Sequence, residues 1–113
     1  MSDCIFCKIL SGEIPSSKVY EDEKVLAFKD ITPMAPVHIL IIPKEHIEGV
    51  DKLTEETAPV VGHIMLVAKR LAEEYHLDSG YRIVSNVGEH GGQTVRHLHF
   101  HLLGGKKLNV ELC

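Results

Sequence analysis

The sharpest pattern in the chain runs from His97 to Leu102, where histidine and apolar residues alternate: His97, Leu98, His99, Phe100, His101, Leu102. Period-two alternation marks a half-buried strand, so it predicts three imidazoles on one face, opposed by Leu98, Phe100 and Leu102 on the other. Val37 to Ile42 is apolar and largely β-branched apart from His38, which predicts a central strand stopped by Pro43. Lys18 to Tyr20 and Val25 to Asp30 read as strands joined by the charged turn Glu21 to Lys24, and Tyr81 to Val87 as a strand running into the loop Gly88 to Gly92. Helical spacing occurs twice. Cys7 to Leu10, with Gly12 as a stop, predicts a short helix. Ala58 to His76 predicts a long one, with Pro59 in its first turn, Glu55 and Glu56 near its positive end, and Val60, Val61, Ile64, Met65, Ala68, Leu71, Ala72 and Tyr75 at i, i+3, i+4 spacing. Leu66 and Val67 fall off that stripe. Either they widen it, or the helix is buried on two faces, the second against another subunit.

The expected class is therefore α+β, with about five antiparallel strands, one long helix and one short one. A length of 113 residues fits a single domain over residues 1–113, with a core that gains from oligomerisation. Composition is ordinary globular, at 44% hydrophobic and 25% charged residues, but the formal charge of −4 changes the picture. A net-acidic chain without a Lys/Arg block lacks the electrostatic footprint of a nucleic-acid binder, so any phosphate must be captured locally. No apolar stretch approaches the roughly 20 residues of a membrane span, and Met1-Ser2-Asp3-Cys4 does not open a signal peptide. Together these predict a cytoplasmic protein with no nucleic-acid or membrane partner.

The histidine strand carries the candidate chemistry. Strand residues two apart are separated by roughly 6.6 Å and residues four apart by roughly 13 Å. One zinc, bonded to imidazole at about 2.0–2.1 Å, can take two neighbours but hardly three. At least one histidine is free for other work. Upstream, Gly91 and Gly92 suit either a plain turn or an anion-binding concavity of backbone N–H groups, with the Thr94 hydroxyl as a further donor. Cys4-Ile5-Phe6-Cys7 is a Cys-x-x-Cys, in which metal binding outranks a disulfide; the rival redox pair would want a strand before it. Asp30 caps the Thr32-Pro33 turn or binds a ligand, and Asn86 is a strand-end turn residue or a donor to one. His38, alone in an apolar run, needs a partner if buried. His63, His76 and His90 read as helix-surface or interface, helix-end and loop residues, and Cys113 as a free terminal thiol.

His97-Leu98-His99-Phe100-His101-Leu102-Leu103 resembles the His-x-His-x-His-x-x motif of the histidine-triad (HIT) family. Gly91-Gly92-Gln93-Thr94-Val95 before it and Leu103-Gly104-Gly105 after it resemble the Hint branch, the purine nucleotide phosphoramidases. The likeness extends through Phe28 to Pro33, Ala35 to His38, Ile42 to Ile47 and Gly80 to Val84, almost the whole chain in order. It implies a HIT-like fold whose sheet continues across a homodimer. It further implies a hydrolase that cleaves at the α-phosphate of AMP- or GMP-type amides through a nucleotidyl-His99 intermediate. In that scheme His101 contacts the phosphoryl and leaving group, His38 orients the cluster, and Asp30, Ile31 and Phe28 hold the nucleoside. Asn86 is a donor to the ribose or the phosphate, and Gly92, Gln93 and Thr94, together with His99 and His101, hold the phosphate. Cys4, Cys7, His46 and His97 would bind one structural zinc per protomer, a closed Cys₂His₂ site with no open position. Three other activities fit less well: dinucleoside polyphosphate hydrolysis, non-catalytic nucleotide binding by a dimer, and metal-centred oxidoreductase chemistry. The tail Lys106 to Cys113 departs from the Trp-Pro-Pro-Gly-type ending of animal Hint proteins.

Overall fold

Five strands form one antiparallel sheet in the computed structural model, which describes residues 4–110; Cys113 and the opening Met1 to Asp3 lie outside them. In chain order the strands are β1 (Lys18–Glu21), β2 (Val25–Lys29), β3 (Val37–Pro43), β4 (Tyr81–Val84) and β5 (Phe100–Gly104). Two helices accompany them, α1 (Ile5–Ser11) and α2 (Pro59–Glu74). The spatial order β1-β2-β3-β5-β4 makes β3 and β5 central, where both edges of each are paired. The α+β expectation of about five strands, one long helix and one short one is met.

The two faces of the sheet are covered differently. Ile64, Val67, Ala68, Leu71 and Ala72 of α2 pack with Val25, Ala27, Ile39, Ile41, Leu98, Phe100 and Leu102 in the larger core. Phe6 and Ile9 of α1 pack with Leu26, Phe28, Leu40 and Ile42 on the opposite face. Val67 belongs to the core stripe, whereas Leu66 is 67% exposed, so only Leu66 falls outside it. None of the described helices is long and apolar enough to cross a membrane.

Local chemistry sets the element ends. The Cys4 sulfur accepts the Cys7 N–H at 3.4 Å and caps α1, which starts two residues earlier than the apolar spacing predicts. Gly12, at φ +88, closes it in the left-handed conformation expected of a helix-ending glycine. The triad strand starts at Phe100 rather than His97. Phe100 pairs with Ile41, and two residues further along β3 stands Pro43, which has no N–H to offer the ladder. The Leu98 N–H turns instead to the Ile47 carbonyl at 2.6 Å. The alternation nevertheless persists, because Leu98 joins Phe100 and Leu102 beneath α2. β4 likewise ends at Val84 rather than Val87, and the next residue, Ser85, spends its hydroxyl on the His99 carbonyl at 2.8 Å.

Candidate active site

His99 and His101 lie on the α1 face of the sheet, and the register places Leu40 opposite His101 and Leu103 opposite His38. Antiparallel alternation thereby puts His38 of β3 beside His101. Their nitrogens meet at 2.9 Å, and the His99 and His101 ring centres are 5.2 Å apart. His38 and His99 are buried and His101 is half-buried.

Hydrogen bonds to backbone fix which nitrogen carries each proton. His99 Nδ1–H donates to the His97 carbonyl at 2.7 Å, leaving the Nε2 lone pair outward. His38 Nδ1 accepts the Met34 N–H at 3.0 Å, so His38 Nε2–H donates to His101 Nδ1. His101 in turn presents Nε2–H to the open side. Burial lowers the pKa of His38 and of His99, while the Asp30 charge acts in the opposite direction. Burial, reinforced by His99 and His38, pushes His101 down to about 4. All three are neutral at pH 7, so each keeps one ring nitrogen lone pair. Asp30, His38 and His101 also lie close enough to suggest a metal site. The hydrogen bonds exclude it, because the lone pairs of His38 and His101 on that side are already taken by N–H donors.

Beside His99 and His101 lies a cavity of about 280 Å³, lined by Ile5, Phe6, Phe28, Asp30, Ile31 and Thr94 among others. Phe6 stands edge-on to His99 at 5.1 Å between ring centres. Ile31 is 94% exposed at the rim. Asp30 shows both of its expected sides. One oxygen accepts the Thr32 N–H at 2.8 Å and caps the turn, and the other lies 3.5 Å from His38 Nε2.

The glycine loop differs from expectation in its donors. Gly92, at φ +84, turns its N–H to the Glu89 carbonyl, and the Gln93 N–H meets the Gly88 carbonyl at 3.0 Å. The Gln93 side chain accepts from Gly88 N–H and Arg96 and donates to the Glu48 and Val95 carbonyls, so it fastens the loop instead of reaching a ligand. Asn86 donates one N–H to the Gly91 carbonyl, which leaves its second N–H and the Thr94 donors for an anion.

At the far end of the histidine segment, Cys4, Cys7, His46 and His97 converge with their donor atoms within 4.8 Å of one another. His46 Nδ1 and His97 Nδ1 are 3.2 Å apart, Cys7 Sγ lies 3.3 Å from His46 Nδ1 and 3.6 Å from His97 Nδ1, and Cys4 Sγ lies 3.4 Å from His97 Nδ1. A tetrahedral zinc has edges of roughly 3.3 Å between nitrogens and roughly 3.6 Å between nitrogen and sulfur. His97 Nε2–H donates to the Pro43 carbonyl at 2.9 Å, aiming the Nδ1 lone pair at the cluster centre, the usual outer support of a metal-bound imidazole. The donor set fits zinc. Of the three histidines only His97 joins this cluster, which leaves His99 and His101 for other work, in keeping with the spacing argument that one zinc cannot take all three.

Sequence reasoning missed Ser85 and the Met34 N–H. Their signal is absent because each acts through one hydrogen bond formed only after the strands meet. His63, expected at a helix surface or interface, bonds Asp22 at 2.7 Å. Burial alone would raise the Asp22 pKa, yet the Lys24 N–H, His63, Tyr20 and the Val25 N–H together hold it well below the carboxylate range.

This arrangement defines a histidine-triad protein: the HIT domain model matches residues 11–108, and the chain belongs to that family. A HIT family hydrolase from Clostridium thermocellum is 47% identical, with a TM-score of 0.96 over 100% of this chain and 99% of its own. The 14 kDa zinc-binding protein of Brassica juncea is 51% identical over 109 residues, 95% of this chain and 96% of the relative. Adenylylsulfatase HINT1 of Arabidopsis thaliana is 49% identical over 110 residues, covering 96% of this chain and 75% of the relative.

Proposed function

We propose that this chain is a nucleotide-binding hydrolase that cleaves nucleoside 5′-phosphoramidates at the α-phosphorus, its HIT domain being the single domain of residues 1–113. The observation that carries this reading is His99. It is buried, neutral, fixed by its Nδ1–H on the His97 carbonyl, and opens its Nε2 lone pair to a cavity with a ribose-suited carboxylate at Asp30. Phe28 and Ile31 hold the base, and Asp30 accepts the ribose hydroxyls. Thr94 and Asn86 donate to the non-bridging phosphate oxygens, stabilising the charge that spreads over them.

The His99 nitrogen attacks phosphorus as the bond to the amine breaks, and the amine keeps the electron pair. It takes its proton from solvent, while His101 Nε2–H hydrogen-bonds to the leaving side. Water then attacks the nucleotidyl-His99 phosphorus and loses a proton to solvent as the P–N bond breaks, releasing the nucleotide and restoring the lone pair. The names of the relatives support this reading, since one is an adenylylsulfatase and another a HIT family hydrolase. The Cys4, Cys7, His46, His97 site holds a structural zinc, in line with the zinc-binding relative. Two protomers join into a homodimer through a sheet edge.

The test compares wild type and His99→Ala on adenosine 5′-phosphoramidate and on diadenosine tetraphosphate. Loss of roughly a thousandfold or more in kcat/KM by the variant is expected, with the phosphoramidate as the better wild-type substrate. Turnover by the variant at the wild-type rate would overturn the assignment of the nucleophile.

A further inference from the structure

Helix α1 serves two neighbours at once. Cys4 and Cys7, at its cap and in its first turn, belong to the four-donor cluster with His46 and His97. Between the cysteines, Ile5 and Phe6 line the cavity beside His99. The Phe6 ring stands edge-on to Phe28, His97 and His99, with ring centres 5.7, 6.0 and 5.1 Å away. A change in the spacing of the two cysteines is therefore felt at the wall of that cavity.

The two sulfurs are also placed to react with each other. Cys4 Sγ lies 3.4 Å and Cys7 Sγ 3.6 Å from the same atom, His97 Nδ1, and the sulfurs are within 4.8 Å of one another. Both residues are half-buried, which leaves them within reach of a small oxidant. Metal binding holds them as thiolates, the form that oxidants attack. A disulfide wants its Cβ atoms about 3.8 Å apart, whereas residues three apart on a helix have theirs roughly 5–6 Å apart. Closing the bond thus tightens the first turn of α1 and shifts Ile5 and Phe6 within it.

We propose that Cys4 and Cys7 are a redox-modification site, at which a hydroperoxide converts the zinc-binding pair into a disulfide, releases the metal and deforms the wall of the cavity beside His99. With hydrogen peroxide, one thiolate attacks and breaks the O–O bond, giving a sulfenic acid and, with a proton from solvent, water. The other thiolate then attacks the sulfenic sulfur, forming the S–S bond and displacing hydroxide, which a second proton turns into water. The two electrons lost by the sulfurs reduce the peroxide. His46 and His97 are left as two ligands of four, too few for a structural site. This site rests on the structural-zinc reading above, and a thiol reductant with fresh zinc restores it.

The experiment uses the zinc-loaded full chain carrying Cys113→Ser, in which Cys4 and Cys7 are the only thiols. Hydrogen peroxide is added with a zinc-sensitive dye present, and the cysteine linkage is mapped by mass spectrometry of proteolytic peptides. NMR follows the His99 ring protons, which lie against the Phe6 ring, before oxidation, after it, and after reductant plus zinc. Expected are release of one zinc per protomer in step with the Cys4–Cys7 linkage, a shift of the His99 signals, and return of both on reduction and reloading. KM for adenosine 5′-phosphoramidate should rise roughly fivefold in the oxidised state, at the low end of coupling between two sites. Zinc retained under peroxide, or released without that linkage, would overturn the modification site. His99 signals unmoved by the disulfide, or not restored by reductant and zinc, would overturn its coupling to the cavity. Absence of zinc before peroxide is added would overturn the zinc reading and this proposal with it, whereas failure of the unoxidised protein to cleave the phosphoramidate would overturn only the assigned activity.

Discussion

His99 is held at two points, its ring by the His97 carbonyl and its own carbonyl by the Ser85 hydroxyl, so its lone pair is aimed before substrate arrives. Burial works in the same direction by disfavouring the charged imidazolium. A lowered pKa keeps the neutral imidazole populated at pH values where a free histidine, at about 6.5, is already protonated. The acid limb of kcat/KM on a phosphoramidate is therefore expected at a midpoint below that value, and a midpoint above it would contradict the electrostatics of the pocket. The three histidines are legible in the sequence because alternation alone puts them on one face. Their division of labour is not, since it depends on Pro43, Met34 and Ser85, which lie far from the motif or approach it only through backbone groups. The loop donors show the same limit: glycine content signals a turn, but only the folded loop reveals that Gly92 and Gln93 use their N–H groups internally.

Among the elements, α1 has the widest reach for its seven residues. Its cap and first turn supply Cys4 and Cys7, while Ile5, Phe6 and Ile9 wall the cavity next to His99. Structural zinc in finger peptides binds with apparent free energies of about 10–16 kcal/mol at pH 7, of which a domain that folds without metal keeps only a part. Cys4→Ser/Cys7→Ser is expected to lose its one zinc per protomer by elemental analysis and to melt at least about 5 °C lower. Turnover should fall only modestly, with the larger change in KM because the pocket wall loosens. A loss of kcat with melting unchanged would place the metal in the reaction instead. The Cys-x-x-Cys pattern announces the metal half of this helix, but the pocket half is hidden, because Ile5 and Phe6 read as ordinary apolar residues until α1 docks on β2 and β3.

Among the described residues two strand edges, those of β1 and β4, have no partner strand, and Leu66 on α2 is exposed. Unpaired edges invite pairing with another chain. Sedimentation is expected to give twice the 12.6 kDa of one chain, and Leu66→Glu should shift the protein toward monomer. A wild-type monomer at micromolar concentration would remove the dimer. The sequence reveals the layers of the molecule better than its boundaries: every strand and helix is legible from periodicity, and Leu66 from its place off the stripe. Val67, taken with it, lies close enough to the stripe for packing to draw it inward.

The alternation that opens the molecule to chemistry also restricts how its gene can change. Between His97 and His101 every residue belongs to one face or the other, and a strand shifted by a single position exchanges its faces. An insertion or deletion of one residue there would send Leu98, Phe100 and Leu102 into the catalytic cavity and the imidazoles under α2. A change of two residues would keep the faces but move each histidine into its neighbour's station, with His97 where His99 now stands. Point substitutions can explore this segment, while changes in length are confined to the surface loops. Any lineage descending from this chain should therefore vary the length of its surface loops long before it varies the spacing between the three histidines.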